Sequence, residues 1–145
     1  MSNLEILEER IGYKFNNIEL LKTALTHSSY GNEHDVDYNE RMEFLGDAVL
    51  ELAMSKKLYD AIHFDEGVLT KTRAKAVCEA ALDLYASKIG LNEFLLLGKG
   101  EEQTGGRNRA AIIADALEAL LGAVFFAGFK FATITSFLPI KSSGV

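Results

Sequence analysis

The sequence is poor in several residues, and each shortage removes a class of protein. There is no tryptophan, one proline and one cysteine, Cys78, in 145 residues. A single cysteine excludes an internal disulfide and a cysteine-rich zinc site, and it suits a reducing compartment, so a cytoplasmic setting is expected. Only three histidines are present, His27, His34 and His63, and none lies within either of the two acidic helix patterns, residues 40–51 and 115–118. No Glu-x-x-His occurs anywhere, which removes the helical di-iron pattern. Excess positive charge is also missing. The net charge is -6 and the isoelectric point about 5.1, unlike a stand-alone nucleic-acid binder. The first ten residues are acidic and carry no apolar core of a signal peptide. Strand-like alternation is absent, as are repeats and low-complexity stretches, so the fold class expected is all-α.

Hydrophobic residues make up 48% of the chain, enough for one sizeable core. The expected helices follow start and stop signals. Ser2 with Glu5, Asn16 with Glu19, and Asp37 with Glu40 read as capping boxes. They open helices running to about Arg10, over Ile18 to Leu25, and to about Tyr59. Asp65 opens another helix ending near Val77. A further one over Cys78 to Ile89 is stopped by Gly90. Asn92 to Leu96 reads as a short turn or helix, and Leu97 to Arg107 as a glycine-rich loop. Asn108 is expected to cap a long apolar helix reaching Phe126. A last helix follows Gly128 and ends at Pro139, and residues 141–145 read as a linker stub or an artificial end. Residues 1–140 are thus expected to form one domain.

Two of these helices carry acids in a pattern with chemical meaning. Glu40, Glu43, Asp47 and Glu51 stand at i, i+3, i+7 and i+11, on one stripe of the long helix. Like charges at this spacing repel, so the stripe is either solvated or gathered around a cation. Glu40 also fits a capping role and Glu51 an ordinary surface role. Glu43 and Asp47 stand out because Met42, Phe44, Leu45, Ala48, Val49 and Leu50 around them are apolar. Gly46, at a cost of about 1 kcal/mol in a helix interior, marks close packing or room for a ligand.

The second acidic helix is more telling. Ala110 to Phe129 spans twenty residues with only Asp115 and Glu118 charged. Two central acids oppose membrane insertion, so a buried helix of a soluble domain is expected and no membrane contact. Buried acids must be paired, hydrogen-bonded or bound to metal. Asp115 and Glu118 share a face with Ala111 and Gly122, small neighbours that leave space. The alternative is a salt-bridged packing face. Two helices offering carboxylates and no histidine form a hard oxygen site suited to Mg²⁺, with Mn²⁺ as substitute, and such sites act mostly on phosphates.

These segments together resemble the ribonuclease III family. Residues 40–50, Glu-Arg-Met-Glu-Phe-Leu-Gly-Asp-Ala-Val-Leu, are similar to its signature. Ala24 to Ser28, Asp65 to Thr70, Gly98 to Arg107 and Ile112 to Ala123 resemble further family segments, so the similarity runs from about residue 4 to 138. The resemblance implies an all-helical endonuclease domain that cuts double-stranded RNA as a homodimer, with no small-molecule cofactor. It implies metal binding by Glu43, Asp47, Asp115 and Glu118, with Asp47 and Glu118 the catalytic acids expected to matter most. It implies supporting roles for Glu40 and Glu66, and a partner contact for Phe44, which otherwise reads as a core aromatic. The implied chemistry is two-metal phosphodiester hydrolysis giving 5′-phosphate and 3′-hydroxyl ends with short 3′ overhangs, used on ribosomal and messenger RNA precursors.

Lys71, Arg73, Lys75, Arg107 and Arg109 are candidate phosphate contacts; the first three read equally as a solvated helix face, and the last two as loop or acid partners. His27 reads as a structural hydrogen-bonding residue. Ser28 stands where many family members carry a basic residue. The family's usual RNA-binding module does not follow Lys141, so a truncated chain or a short form is expected. Competing readings are a short ribonuclease III specialised for ribosomal RNA, a non-catalytic scaffold of the same fold, and a two-metal phosphohydrolase acting on small nucleotides.

Overall fold

The structure is a computed structural model that describes residues 1–128, 131–136 and 138. It is built from helices α1 (Asn3–Ile11), α2 (Ile18–Leu25), α3 (Ser28–His34), α4 (Glu40–Ala61), α5 (Glu66–Ala76), α6 (Glu79–Lys88), α7 (Lys99–Gln103), α8 (Ala110–Phe126) and α9 (Phe131–Thr135). Short 3₁₀ turns fill Leu91–Phe94 and Gly106–Asn108. Among the described residues there is no strand, only an isolated parallel bridge between Thr26 and Leu96, so the all-α expectation holds.

The apolar composition of α8 dictates its place at the centre. Eleven of its seventeen residues are buried, among them Leu117, Leu120 and Leu121. Helix α4 lies along it and contributes Leu50, Met54 and Leu58, while α2 adds Leu21 and Leu25 and α6 adds Leu82. Asp115 and Glu118 therefore leave the most buried helix of the domain at its one polar face. Helix α5 buries none of its residues and sits on the outside of α4 and α6. No helix among the described residues is long and apolar enough to cross a membrane.

Local signals set several helix ends as expected. Ser2 Oγ accepts from the Glu5 amide at 3.2 Å, Asp65 Oδ1 accepts from the Val68 amide at 3.1 Å, and Gly90 takes the left-handed conformation that ends α6. Other ends differ. Asn17, not Asn16, caps α2, its Oδ1 accepting from the Glu19 amide at 3.1 Å. Asn39, not Asp37, precedes α4, and its side chain does not cap the helix at all. Helix α8 begins at Ala110 behind Arg109, not behind Asn108. The expected loop from Leu97 to Arg107 contains α7, because Gly98 and Lys99 donate backbone amides to Ser29 Oγ and Glu33 Oε1, both at 2.8 Å, and anchor its start. Helix α3 was not expected: it has no apolar periodicity, and it exists because His27 Nδ1 accepts the Ser29 amide at 3.2 Å and Asp35 closes it in a left-handed turn. Pro139 and residues 141–145 lie outside the described residues.

Candidate metal centre

Two glycines bring the acidic helices together. A Cβ added at Gly46 of α4 would lie 1.6 Å from the carbonyl oxygen of Glu118 on α8. One added at Gly122 would lie 2.4 Å from the carbonyl oxygen of Met42. Only glycine at both places lets the two backbones touch, closer than helices usually pack. The contact fixes what stands beside it. Asp47 follows Gly46, Glu43 precedes it by one turn, and Glu118 and Asp115 lie one and two turns before Gly122 on the facing helix.

The four carboxylates consequently meet across the crossing as two pairs. Glu43 acts on Asp115, and Glu118 on Asp47, through side-chain hydrogen bonding and like charge. Burial, then the Asp115 charge and hydrogen bond, push the Glu43 carboxyl up to about 7. Burial, then the hydrogen bond and charge of Asp47, push Glu118 up to about 8. Asp115 is also raised by burial, although its hydrogen bond with Glu43 and the nearby His27 charge pull it back. Glu43 and Glu118 therefore both take up protons near neutrality, where an ordinary glutamate is ionised.

Among the described residues no three acid, histidine or cysteine side chains form a ready-made cage for one ion. The donor set nevertheless fits a hard dication. It is all carboxylate, with no histidine or thiolate between the pairs, and the protons it holds are what a divalent cation would replace. Mg²⁺ or Mn²⁺ suits such donors better than zinc.

The remaining residues singled out from the sequence are distributed unevenly around this centre. Glu40 is near enough for its charge to raise both Glu43 and Asp115. Glu51 is taken out of the acidic stripe by Arg73, whose Nε lies 3.1 Å from its carboxylate and whose Nη1 donates to Ser55 Oγ at 2.8 Å. Glu66 is exposed at the start of α5 and accepts the Thr70 hydroxyl at 2.9 Å; it does not join either pair. Arg107 donates to Glu102 at 2.9 Å and to the carbonyls of Asn92 and Leu95, both at 2.9 Å, so it buckles the glycine-rich segment onto the turn before it. Arg109 pairs with Glu101 and donates to the Thr104 carbonyl at 3.0 Å. Lys71 and Lys75 stand exposed on α5. Phe44 is 83% exposed, not a core residue. It edges a groove of about 1180 Å³ lined also by Gly31, Tyr38, Leu45 and Phe126.

Two contributors were not visible in the sequence. Glu79, at the start of α6, adds negative charge against Asp115, and His27 adds a compensating positive influence. Neither lies within a local acidic pattern, so only the folded arrangement brings them in.

A helical domain whose central crossing gathers carboxylates from two helices defines a class of acid-centred helical domains. The chain belongs to the ribonuclease-III-like family, whose family model matches residues 17–138. Ribonuclease 3 of Staphylococcus aureus is 53% identical over 119 residues, covering 79% of this chain and 49% of the relative. The chain therefore spans about half the length of the curated relatives it matches. The nuclease domain of ribonuclease III from Campylobacter jejuni superposes with a TM-score of 0.87 at 36% identity, covering 94% of this chain and 96% of that one; the region that forms its dimer is structurally flexible. Dicer from Pichia stipitis matches with a TM-score of 0.61 at 27% identity, over 86% of this chain and 53% of its own.

Proposed function

We propose that this domain is the catalytic part of an endoribonuclease that cuts double-stranded RNA, acting as a homodimer in the cytoplasm with Mg²⁺, or Mn²⁺ in its place. The observation that carries the reading is the pair of carboxylate pairs, Glu43 with Asp115 and Asp47 with Glu118, facing each other across the Gly46–Gly122 contact. Three half-buried carboxylates and the exposed Asp47, gathered at one crossing although their charges repel, are what a phosphodiester-cleaving metal centre needs. The kinship with ribonuclease 3 supports the substrate class.

Glu43, Asp47, Asp115 and Glu118 would hold the dications, which when bound activate water and stabilise charge on the departing 3′ oxygen. Asp115 and Glu118 project from the most buried helix, whose packing holds their Cα atoms in place. Glu118 is the ligand on which the rate depends most, with Asp47 opposite it. Glu40 tightens the negative field, and Glu66 lies far enough out on α5 to meet substrate or partner. No side chain acts as a covalent nucleophile: water attacks the phosphorus, the P–O3′ bond breaks, and the products carry 5′-phosphate and 3′-hydroxyl ends. Two such centres in a dimer cut opposite strands and leave short 3′ overhangs, as suits ribosomal and messenger RNA precursors. Phe44 supports the dimer: an aromatic ring this exposed, at the edge of a groove of mixed apolar and charged lining, is covered in the working protein. For phosphate contact the reading rests on Lys71 and Lys75. Arg73, Arg107 and Arg109 would have to leave their present partners.

The test is cleavage of a labelled long RNA duplex at low salt with Mg²⁺, with Mn²⁺ and with EDTA. Low salt matters because phosphate binding fades steeply as salt rises. Staggered cuts that need the metal, spare single strands and DNA, and vanish in Glu118→Gln are the expected result. Metal-independent cutting, or a Glu118→Gln protein as active as the parent, would overturn the proposal.

A further inference from the structure

The glycine contact seats α4 on α8 between Met42 and Gly46, and α4 goes on along α8 beyond it. Glu40 and Glu43 lie at the start of this packed length, where the orientation of the helix depends on what holds residue 39. The arm from Gly46 back to residue 39 is seven residues, roughly 10 Å at 1.5 Å per residue. A small rotation there would part Glu43 from Asp115.

Asn39 is what holds the end of that arm. It is a polar residue only 5% exposed. Its backbone is nearly helical, and its side chain makes no cap bond to α4, unlike Ser2, Asn17 and Asp65 at the starts of α1, α2 and α5. Instead the side-chain amide donates backwards to the Ala24 carbonyl at 3.1 Å. The backbone amide donates to the Thr26 carbonyl at 2.9 Å, and the carbonyl accepts the Glu43 amide at 2.8 Å. The same end of α2 is tied on its other side, where the Leu25 carbonyl accepts the Leu96 amide at 2.9 Å and the His27 amide donates to the Leu96 carbonyl at 3.0 Å. Carbonyls that a helix end leaves unpaired are thus used as a fixed mount. Asn39 fastens the acidic helix to it, and the Glu43 backbone amide closes the first helical turn on the Asn39 carbonyl.

We infer that Asn39 is a positioning residue for the metal centre: its bonds to the end of α2 set the rotation of α4 about the Gly46–Gly122 contact and so hold Glu43 against Asp115. This rests on the reading of the four carboxylates as metal ligands. A merely structural asparagine would lower stability and leave metal affinity alone.

The experiment measures Mn²⁺ binding to the intact protein by calorimetry, alongside melting temperature in EDTA, for the parent, Asn39→Ala and Asn17→Ala. Asn17→Ala removes a true helix cap at the far end of α2 and serves as a destabilised control. The expected result is Mn²⁺ affinity weakened by about tenfold or more in Asn39→Ala, the scale seen when groups supporting metal ligands are removed, with affinity unchanged in Asn17→Ala. Equal affinity in Asn39→Ala and parent, or a loss in Asn17→Ala as large as in Asn39→Ala, would overturn the inference. Should Asn39→Ala not fold, Asn39→Ser, which keeps a shorter donor, gives the same comparison. Absence of Mn²⁺ binding in the parent would instead sink the metal-centre reading on which the inference stands.

Discussion

Gly46 stands against the backbone of Glu118, so close that a methyl group has nowhere to go. The obstacle is a carbonyl rather than a side chain, and no rotamer change can relieve it. Gly46→Ala must therefore push α4 away from α8. The expected loss is about 3 kcal/mol or more, at the upper end of core overpacking. That corresponds to a melting temperature lower by about 10 °C, and metal binding should fall with it. Gly100→Ala is the matching control. It lies in α7 with nothing within 4 Å of the added Cβ, and it should melt at or slightly above the parent temperature. Calorimetric melting of the two variants decides, and a Gly46→Ala protein as stable as Gly100→Ala would mean the helices do not touch here.

The two raised carboxyls predict how stability responds to pH. Glu43 and Glu118 have folded values of about 7 and about 8, against an ordinary 4.5. The folded chain thus holds these protons more tightly than the unfolded chain, and stability from them is lost as pH rises. In EDTA the melting temperature should fall between pH 5.5 and pH 8.5. With Mg²⁺ the fall should shrink, because the cation takes the place of the protons, and the benefit of Mg²⁺ should grow with pH. Glu43→Gln with Glu118→Gln should flatten the EDTA curve. Stability that rises with pH in EDTA across this range would contradict the paired arrangement.

The parts of this architecture that were readable in advance are those written in neighbouring residues. The apolar run of α8, the acidic stripe of α4 from Glu40 to Asp47 and the caps at Ser2 and Asp65 are local, and the folded chain keeps them. Asn39 carries no local signal, because its partner, the Ala24 carbonyl, is fifteen residues away, and no spacing rule reaches that far. Helix α3 has no sequence signature because its contacts, not an apolar stripe, make it helical. Gly46 and Gly122 each looked like a point of close packing or open space. That they face one another, and so pair Glu43 with Asp115, is a property of the crossing alone. Arg73 and Arg107 read as possible RNA contacts for the same reason: their partners lie on other elements.

Phe44 should matter for assembly and not for the fold of one chain. At 83% exposure it contributes little to its own core. If a second copy covers it, Phe44→Ala should cost about 2 kcal/mol of association, the size of a buried aromatic hot spot, or about thirtyfold in the dimer dissociation constant. Sedimentation equilibrium measures that constant directly. Circular dichroism of the variant should remain that of the parent. An unchanged dimer constant would remove Phe44 from the interface.

Basic residues with and without internal partners should part company when RNA binding and stability are measured together. Lys71 and Lys75 are exposed on α5, four residues apart and so on one side of the helix. If both meet phosphates, Lys71→Ala with Lys75→Ala should weaken duplex binding evenly across sequences. It should also reduce the salt slope by roughly one for each lysine, with melting unchanged. Arg107→Ala should do the reverse. It leaves the Asn92 and Leu95 carbonyls and the Glu102 carboxylate without their donor, a loss of about 1.5–3 kcal/mol for bonds of this charged kind, while the salt slope stays where it was. Binding of a duplex measured at several salt concentrations, beside melting curves of both variants, separates the two roles. A salt slope reduced by Arg107→Ala and untouched by the lysine pair would place the RNA over the glycine-rich segment instead of α5.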